Sequence, residues 1–227
     1  MNRVETRVAV VFDWDGTLMD SDFLIDLAVE KVLTNRKLPT IELIKPLLYS
    51  VRVGRSLLEQ VRLPEVQRGE IILEISNEFK KLESEACLFD GAHDLLINLR
   101  KKNIPLGILT GRNRNSLKYY LKKFHLEGVF NELVCRNEVP LKPNPAGLYK
   151  LKEALGVQTI IFIGNSLDDQ EAAIKAGTDF IAIRCCERVR IPQVFLNNVN
   201  VMKNFQEISS LLEQKLQYFS LEEQAIN

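Results

Sequence analysis

Long hydrophobic runs, an excess of one charge and cysteines at metal-binding spacing are all missing from this 227-residue sequence. No apolar stretch approaches the roughly 20 residues of a membrane helix, so no membrane partner is expected. Lysine plus arginine (30) balances aspartate plus glutamate (30). A net charge of zero provides no field toward nucleic acid or anionic lipid, which sets nucleic acid aside as a partner. The opening MNRVETRVAVVFDWDG holds only a short apolar run between charges, whereas a secretory signal needs an apolar core of about 7–15 residues and a small-residue cleavage site. Glycine (11) and proline (8) are scarce, and collagen-like or low-complexity architectures are excluded. Cys87, Cys135, Cys185 and Cys186 show no CxxC spacing, and a vicinal pair makes an awkward disulfide; we expect reduced thiols buried as small hydrophobes in a cytoplasmic protein. The two histidines, His93 and His125, fall inside helical stretches and are expected at the surface, leaving no Ser/His/Asp arrangement. No GxGxxG or GxxxxGK follows a strand, so dinucleotide and P-loop sites are excluded.

What is present is an alternation. VAVVF (8–12), LGILT (106–110), ELVC (132–135), IIFIG (160–164) and FIAI (180–183) are short, apolar and β-branched, the signature of strands buried on both faces. Between them lie helical stripes such as Leu117, Tyr120, Leu121 and Phe124, or Leu148, Leu151 and Leu155, the latter opening at Asn144 and Pro145 and stopping at Gly156. The pattern predicts an α/β fold, a doubly wound parallel sheet of five main strands, closed by a C-terminal helix over 205–219. From Met19 to Ala86 no strand is evident, only helical patterns such as Phe23, Leu24, Leu27 and Ala28, and Ile72, Ile75, Phe79 and Leu82. That interval is too long for a crossover. We expect an all-helical cap domain over 19–86, inserted into a core made of 1–18 and 87–227, with a loop near Tyr49–Glu59.

In open parallel α/β sheets, ligands sit outside the carboxyl ends of the strands. The first strand is followed by Asp13, Asp15 and Gly16, the second by Thr110, Gly111 and Arg112. Lys142 follows the third, and Asn165, Ser166, Asp168 and Asp169 follow the fourth. Asp13 and Asp15, two apart at a strand mouth, point the same way, and bringing carboxylates together needs a cation or a division of roles. Hard oxygen donors favour Mg²⁺, which also bridges phosphate. Gly16 exposes backbone amides that can hold phosphate oxygens. Thr110 offers a donor and Lys142 a fixed charge for a transferring phosphoryl group. Each also has a plainer reading: DxDG as a capped turn, Thr110 as a strand end, Lys142 as a solvated lysine, and Ser166 with Asp169 as a capping box.

FDWDGTL, LTGR, LKPNP and GNSLDDQEAAIKAG together resemble the four motifs of the haloacid dehalogenase superfamily, and the chain is most similar to its phosphoglycolate phosphatase and β-phosphoglucomutase branch. The resemblance implies a Mg²⁺-dependent phosphatase acting on a small phosphorylated metabolite, as a monomer or homodimer. It makes Asp13 the nucleophile that forms an aspartyl phosphate and Asp15 the general acid and base. Thr110 and Lys142 would hold phosphoryl oxygens, with Gly16, Gly111 and Arg112 lining the phosphate site. Asp13, Asp15 through its carbonyl, Asn165, Asp168 and Asp169 form the implied metal set. In the cap, VRVGRSLL resembles a substrate-specificity loop, implying Arg52, Gly54 and Arg55 as substrate contacts.

One departure stands out: the family's fourth motif usually begins GD, and here the second position is Asn165. An amide oxygen can coordinate a hard cation but brings no charge. We expect Asp168 to return that charge to the shell. A phosphomutase of the same family is the near alternative, and a catalytically attenuated phosphate-binding or regulatory protein is the alternative that Asn165 suggests. A phosphoacceptor receiver domain would not explain the helical insertion.

Overall fold

The computed structural model describes residues 8–38, 65–185 and 201–226. The described residues divide into two compact units, one holding 8–19, 88–185 and 201–226, the other holding 20–38 and 65–87.

The first unit is built on a parallel sheet. Its strands are β1 (Val8–Phe12), β4 (Leu106–Leu109), β5 (Glu132–Val134), β6 (Thr159–Gly164), β7 (Asp179–Ile183) and β8 (Val201–Met202), in the order β5-β4-β1-β6-β7-β8. β1 is central and buried throughout, with Val10–Phe12 opposite Leu106–Ile108 and Val8–Phe12 opposite Thr159–Ile163. The chain runs outward from β1 through β4 to β5, then returns on the other side as β6. This reversal opens a crevice at the carboxyl ends of β1, β4 and β6, where a parallel α/β sheet takes its ligand.

Among the described residues the sheet has six strands rather than five. The extra one, Val201–Met202, is two half-buried residues, too short to show an alternation. Thr110 and Cys135, expected inside strands, lie just beyond them. Two further short strands, β2 (Met19–Asp20) and β3 (Cys87–Leu88), pair where the chain leaves and re-enters the first unit.

Helices α3 (Ala92–Lys101), α4 (Arg114–Lys123), α5 (Ala146–Leu155), α6 (Leu167–Ala176) and α7 (Phe205–Ile226) complete this unit. Their ends follow the sequence signals. The Asn113 side chain caps α4 by accepting from Ser116 N–H, and α5 and α6 stop at left-handed Gly156 and Gly177. His93 is exposed on α3, whereas His125 lies not within a helix but in the turn after α4, exposed and with φ of 55°. Cys135 is buried as expected, but Cys87 is exposed, and Cys186 lies outside the described residues.

The second unit contains α1 (Asp22–Asn35) and α2 (Glu65–Leu82). Val32 and Ile71 are buried between them with Leu38 and Ile75 packed alongside. The Arg36 guanidinium straps the helices together, donating to Glu74 at 2.7 and 2.9 Å and to Glu70 at 3.2 Å. The expected stripes need adjustment: Leu27 and Ile72 face outward, while Val29, Val32, Leu33 and Ile71 are buried. Arg52, Gly54, Arg55 and the loop near Tyr49–Glu59 lie outside the described residues. Among the described residues no helix is long and apolar enough to cross a membrane.

Two helical glycines should respond to alanine with opposite sign. A Cβ on Gly147 in α5 would collide with the Leu109 side chain in the core, whereas one on Gly69 in α2 meets nothing within 4 Å. Gly69→Ala is expected to stabilise by about 0.4–1 kcal/mol by restricting the unfolded chain, and Gly147→Ala to destabilise by roughly 1–3 kcal/mol through overpacking. Thermal melts of the two variants check both signs.

Candidate active site

The crevice is built from four strand ends. The Asp13 N–H donates to the Ile163 carbonyl at 2.9 Å, which extends the β1–β6 pairing one residue past the strand. The chain then turns at once: the Trp14 carbonyl accepts from the N–H groups of Leu18 and Met19 at 3.0 Å, and Gly16 N–H donates to the Met19 carbonyl at 2.9 Å. Gly16 sits at φ of 73°, and a Cβ there would strike the Asn165 amide group. Glycine at this position thus satisfies both a left-handed turn and the close approach of the fourth motif.

Side chains alternate along this segment. Trp14 is fully buried, packing against Tyr120 of α4 and Phe124 just past its end, with ring centroids 6.5 and 6.3 Å away. Asp13 and Asp15 engage different cations. Asp13 Oδ1 accepts from Lys142 Nζ at 2.6 Å, and its Oδ2 lies 3.3 Å from the Thr17 hydroxyl. Both Asp15 oxygens accept from the Arg112 guanidinium, at 2.6–2.9 Å.

Lys142 is the hub. Its ammonium contacts Asp13 Oδ1 at 2.6 Å, Asp169 Oδ1 at 2.5 Å and the Leu109 carbonyl at 3.2 Å. The first and third are hydrogen bonds, and the second is an ion pair. Burial pulls the ammonium down, but the carboxylates of Asp13 and Asp169 outweigh it and hold Lys142 above the usual lysine range. Burial pushes Asp13 the other way for an acid, up to about 7, with Asp169 and Asp15 adding to the rise and Lys142 opposing it. One cation thus stands between two buried carboxylates.

Asp169 is fully buried. Its Oδ2 accepts from Ser166 N–H at 3.0 Å and from the Ser166 hydroxyl at 2.5 Å, while Ser166 Oγ accepts from Asp169 N–H at 3.2 Å. The capping box and the Lys142 anchor are therefore one carboxylate with both oxygens engaged. Gly164 makes this possible, since a Cβ there would lie 2.7 Å from Asp169. Thr110, nearly fully buried, donates its N–H to the Val134 carbonyl at 3.0 Å, and its hydroxyl oxygen accepts from Arg112 N–H at 3.1 Å. That leaves the hydroxyl hydrogen to donate elsewhere.

The residues read from the sequence divide into groups. Asp13, Lys142 and Asp169 are joined directly, with Thr110 at the end of the adjacent strand. Arg112 is paired with Asp15, and Asp15 and Asp169 turn their carboxylates to cations within the protein. Asn165 Oδ1 accepts from the Thr17 hydroxyl at 3.1 Å. Thr17, fully buried and shared between Asn165 and Asp13, is the residue that sequence reasoning missed, although it stands within the same FDWDGTL run. Among the described residues no group of three or more His, Cys, Asp or Glu gathers as a metal cluster. The donors that converge are one carboxylate and one amide oxygen, on either side of the Thr17 hydroxyl. This set fits Mg²⁺, which accepts one or two protein oxygens and completes its shell with water and phosphate.

Comparison with known proteins agrees with this geometry. Residues 10–183 match the family model of haloacid dehalogenase-like hydrolases. A phosphoglycolate phosphatase of Shigella dysenteriae is 26% identical over 210 residues, covering 81% of this chain and 83% of its own. A phosphonoacetaldehyde hydrolase of Bacillus cereus is 29% identical over 191 residues, covering 74% of this chain and 72% of its own. A crystal structure described as that of a predicted phosphoglycolate phosphatase from Haemophilus somnus superposes with a TM-score of 0.76 at 21% identity, covering 92% of this chain and all of that one. With the family model spanning most of the sequence and its motifs gathered at the carboxyl ends of β1, β4 and β6, the chain belongs to the haloacid dehalogenase-like hydrolases.

Proposed function

We propose that this protein is a Mg²⁺-dependent phosphatase that hydrolyses a small phosphorylated metabolite, of the phosphoglycolate or sugar-phosphate kind, in the cytoplasm. The observation that carries this reading is the buried Asp13 carboxylate at the mouth of the central strand, held by Lys142, with Thr110 at the end of the adjacent strand. Phosphatases among the relatives support it.

Asp13 Oδ attacks phosphorus and the bond to the leaving alcohol breaks, giving an aspartyl phosphate. Asp15 gives the departing oxygen its proton, then takes one from the water that cleaves the intermediate. The Thr110 hydroxyl donates to a phosphoryl oxygen. Lys142 reaches another by exchanging its longest contact, the Leu109 carbonyl, while Asp169 keeps it in place. Asp13 and Asn165 would hold Mg²⁺, with Asp168 supplying charge to its outer shell. The ion, when bound, neutralises charge on the transferring group. The helical unit serves as the cap that selects the substrate, with Arg52, Gly54 and Arg55 as its contacts. Asn165 favours a second reading, a phosphate binder with attenuated turnover, because the neutral amide removes one charge from the ion's ligands.

Three outcomes test these readings. Across a panel of small phosphate esters, Mg²⁺-dependent phosphate release is expected from the wild type. In Asp13→Asn it should fall by about 10³-fold or more, as for loss of a covalent nucleophile; retained turnover in that variant overturns the mechanism. Asn165→Asp is expected to lower the half-saturating Mg²⁺ concentration several-fold, read by calorimetric titration of the ion as well as by activity. An unchanged titration would remove Asn165 from the site.

The third outcome concerns stability. An acid whose folded-state pKa is raised adds stability below its unfolded pKa and loses it as pH climbs to the folded value. For Asp13 that window runs from its usual 3.8 to about 7. Asp13→Asn is neutral throughout, so in EDTA its melting temperature should gain on the wild type between pH 5 and pH 8. The gain is roughly 2–4 °C for each kcal/mol of relief. A difference that stays flat with pH would mean that Lys142 fully compensates the ionised carboxylate.

A further inference from the structure

We infer that Arg112 is a positioning residue for Asp15, and that by fixing this carboxylate it decides which leaving groups the site can expel. The inference rests on the phosphatase reading and adds to it a residue that acts through another.

The geometry is that of a clamp. Arg112 Nε lies 2.9 and 2.8 Å from the two Asp15 oxygens, and Nη2 lies 2.6 Å from Oδ1. Two nitrogens on two oxygens fix the plane of a carboxylate, which a single ammonium cannot do. The guanidinium is itself immobile. Nη1 donates to Ser116 Oγ at 3.1 Å, the planar group lies 4.7 Å over the Tyr120 ring, and the backbone N–H is tied to Thr110 Oγ1. Exposure differs between the partners: 12% for the arginine side chain and 36% for the aspartate. The arginine is the built-in member, and the carboxylate faces outward from it.

Arg112 is what holds this carboxylate, for an aspartate a third exposed on a tight turn would otherwise rotate about its side-chain bonds. Each of the three guanidinium nitrogens of Arg112 already donates to a group within the protein, which argues against its being chiefly the substrate's cation. Thr110 adds to the anchoring, since its hydroxyl oxygen accepts from the Arg112 backbone N–H.

A residue acting only through Asp15 has a kinetic signature. Expelling an alkoxide needs a proton, whereas p-nitrophenolate leaves without one. With the full-length protein and Mg²⁺, Arg112→Met and Arg112→Lys are expected to lower kcat by about 10²-fold, the low end of general acid catalysis, on the best alkyl phosphate of the panel. On p-nitrophenyl phosphate the loss should stay under about 10-fold, with KM little changed on either. Arg112→Met in an Asp15→Asn background should cost nothing further, because coupled residues are not additive. That double-variant comparison also separates positioning from loss of fold, since a folding defect lowers both backgrounds and both substrates alike. Equal losses on the two substrates with a raised KM would make Arg112 a substrate contact and overturn the inference. So would full activity in both variants. If the wild type turns over neither substrate, the phosphatase reading fails and the inference falls with it. If the wild type is active but Asp15→Asn shows no preference between leaving groups, only the inference is lost.

Discussion

A lysine ammonium between two buried carboxylates is the constraint around which this core is arranged. Lys142 carries a charge into a place where charge is expensive, and removing one partner of such an arrangement typically costs about 3–5 kcal/mol. Its neighbours therefore have little freedom. Asp169 must come within reach at 2.5 Å, which requires Gly164 at the end of β6 to have no side chain. The same carboxylate must start α6, because Ser166 occupies its other oxygen. Strand end, helix start and cation are thus one linked unit, and the nucleophile hangs from it.

That linkage explains how an aspartate can be buried without being inert. Asp13 is shielded from water enough to favour its proton near neutrality, yet the ammonium that restrains this is itself secured by Asp169. Asp15, one residue beyond Trp14, belongs to a different electrostatic environment: its counter-ion is a guanidinium stacked on Tyr120. Two carboxylates that point to one crevice are thereby given separate cations. This is the division of roles that their spacing in the sequence implied.

The framework of the fold was legible because its strands are buried on both faces and read as continuous apolar runs; VAVVF and TIIFIG could hardly be anything else. Helix ends were legible where chemistry is local, as at Gly156, Gly177 and the Ser166–Asp169 box. Val201–Met202 was not, since two residues carry no period. In the second unit, Leu27 and Ile72 read as core because the stripe is broad; Ile71, next to Ile72, has the same chemistry and only packing distinguishes the two. At the site, the order of Asp13, Thr110, Lys142 and Asp169 was visible in the chain. The pairing of Arg112 with Asp15 across 97 positions and the bridging role of Thr17 depend on three-dimensional distance and leave no trace in spacing.

The alternation that sends Asp13 and Asp15 toward the crevice sends Trp14 to the opposite side, into a fully buried nest with Tyr120 and Phe124. It is the sole tryptophan of the sequence, so all of the protein's indole emission originates from the residue between the two acids. The ring beside it, Tyr120, is the one on which Arg112 stacks. The molecule therefore carries its own optical probe at the centre of its chemistry, with no second indole to obscure the signal.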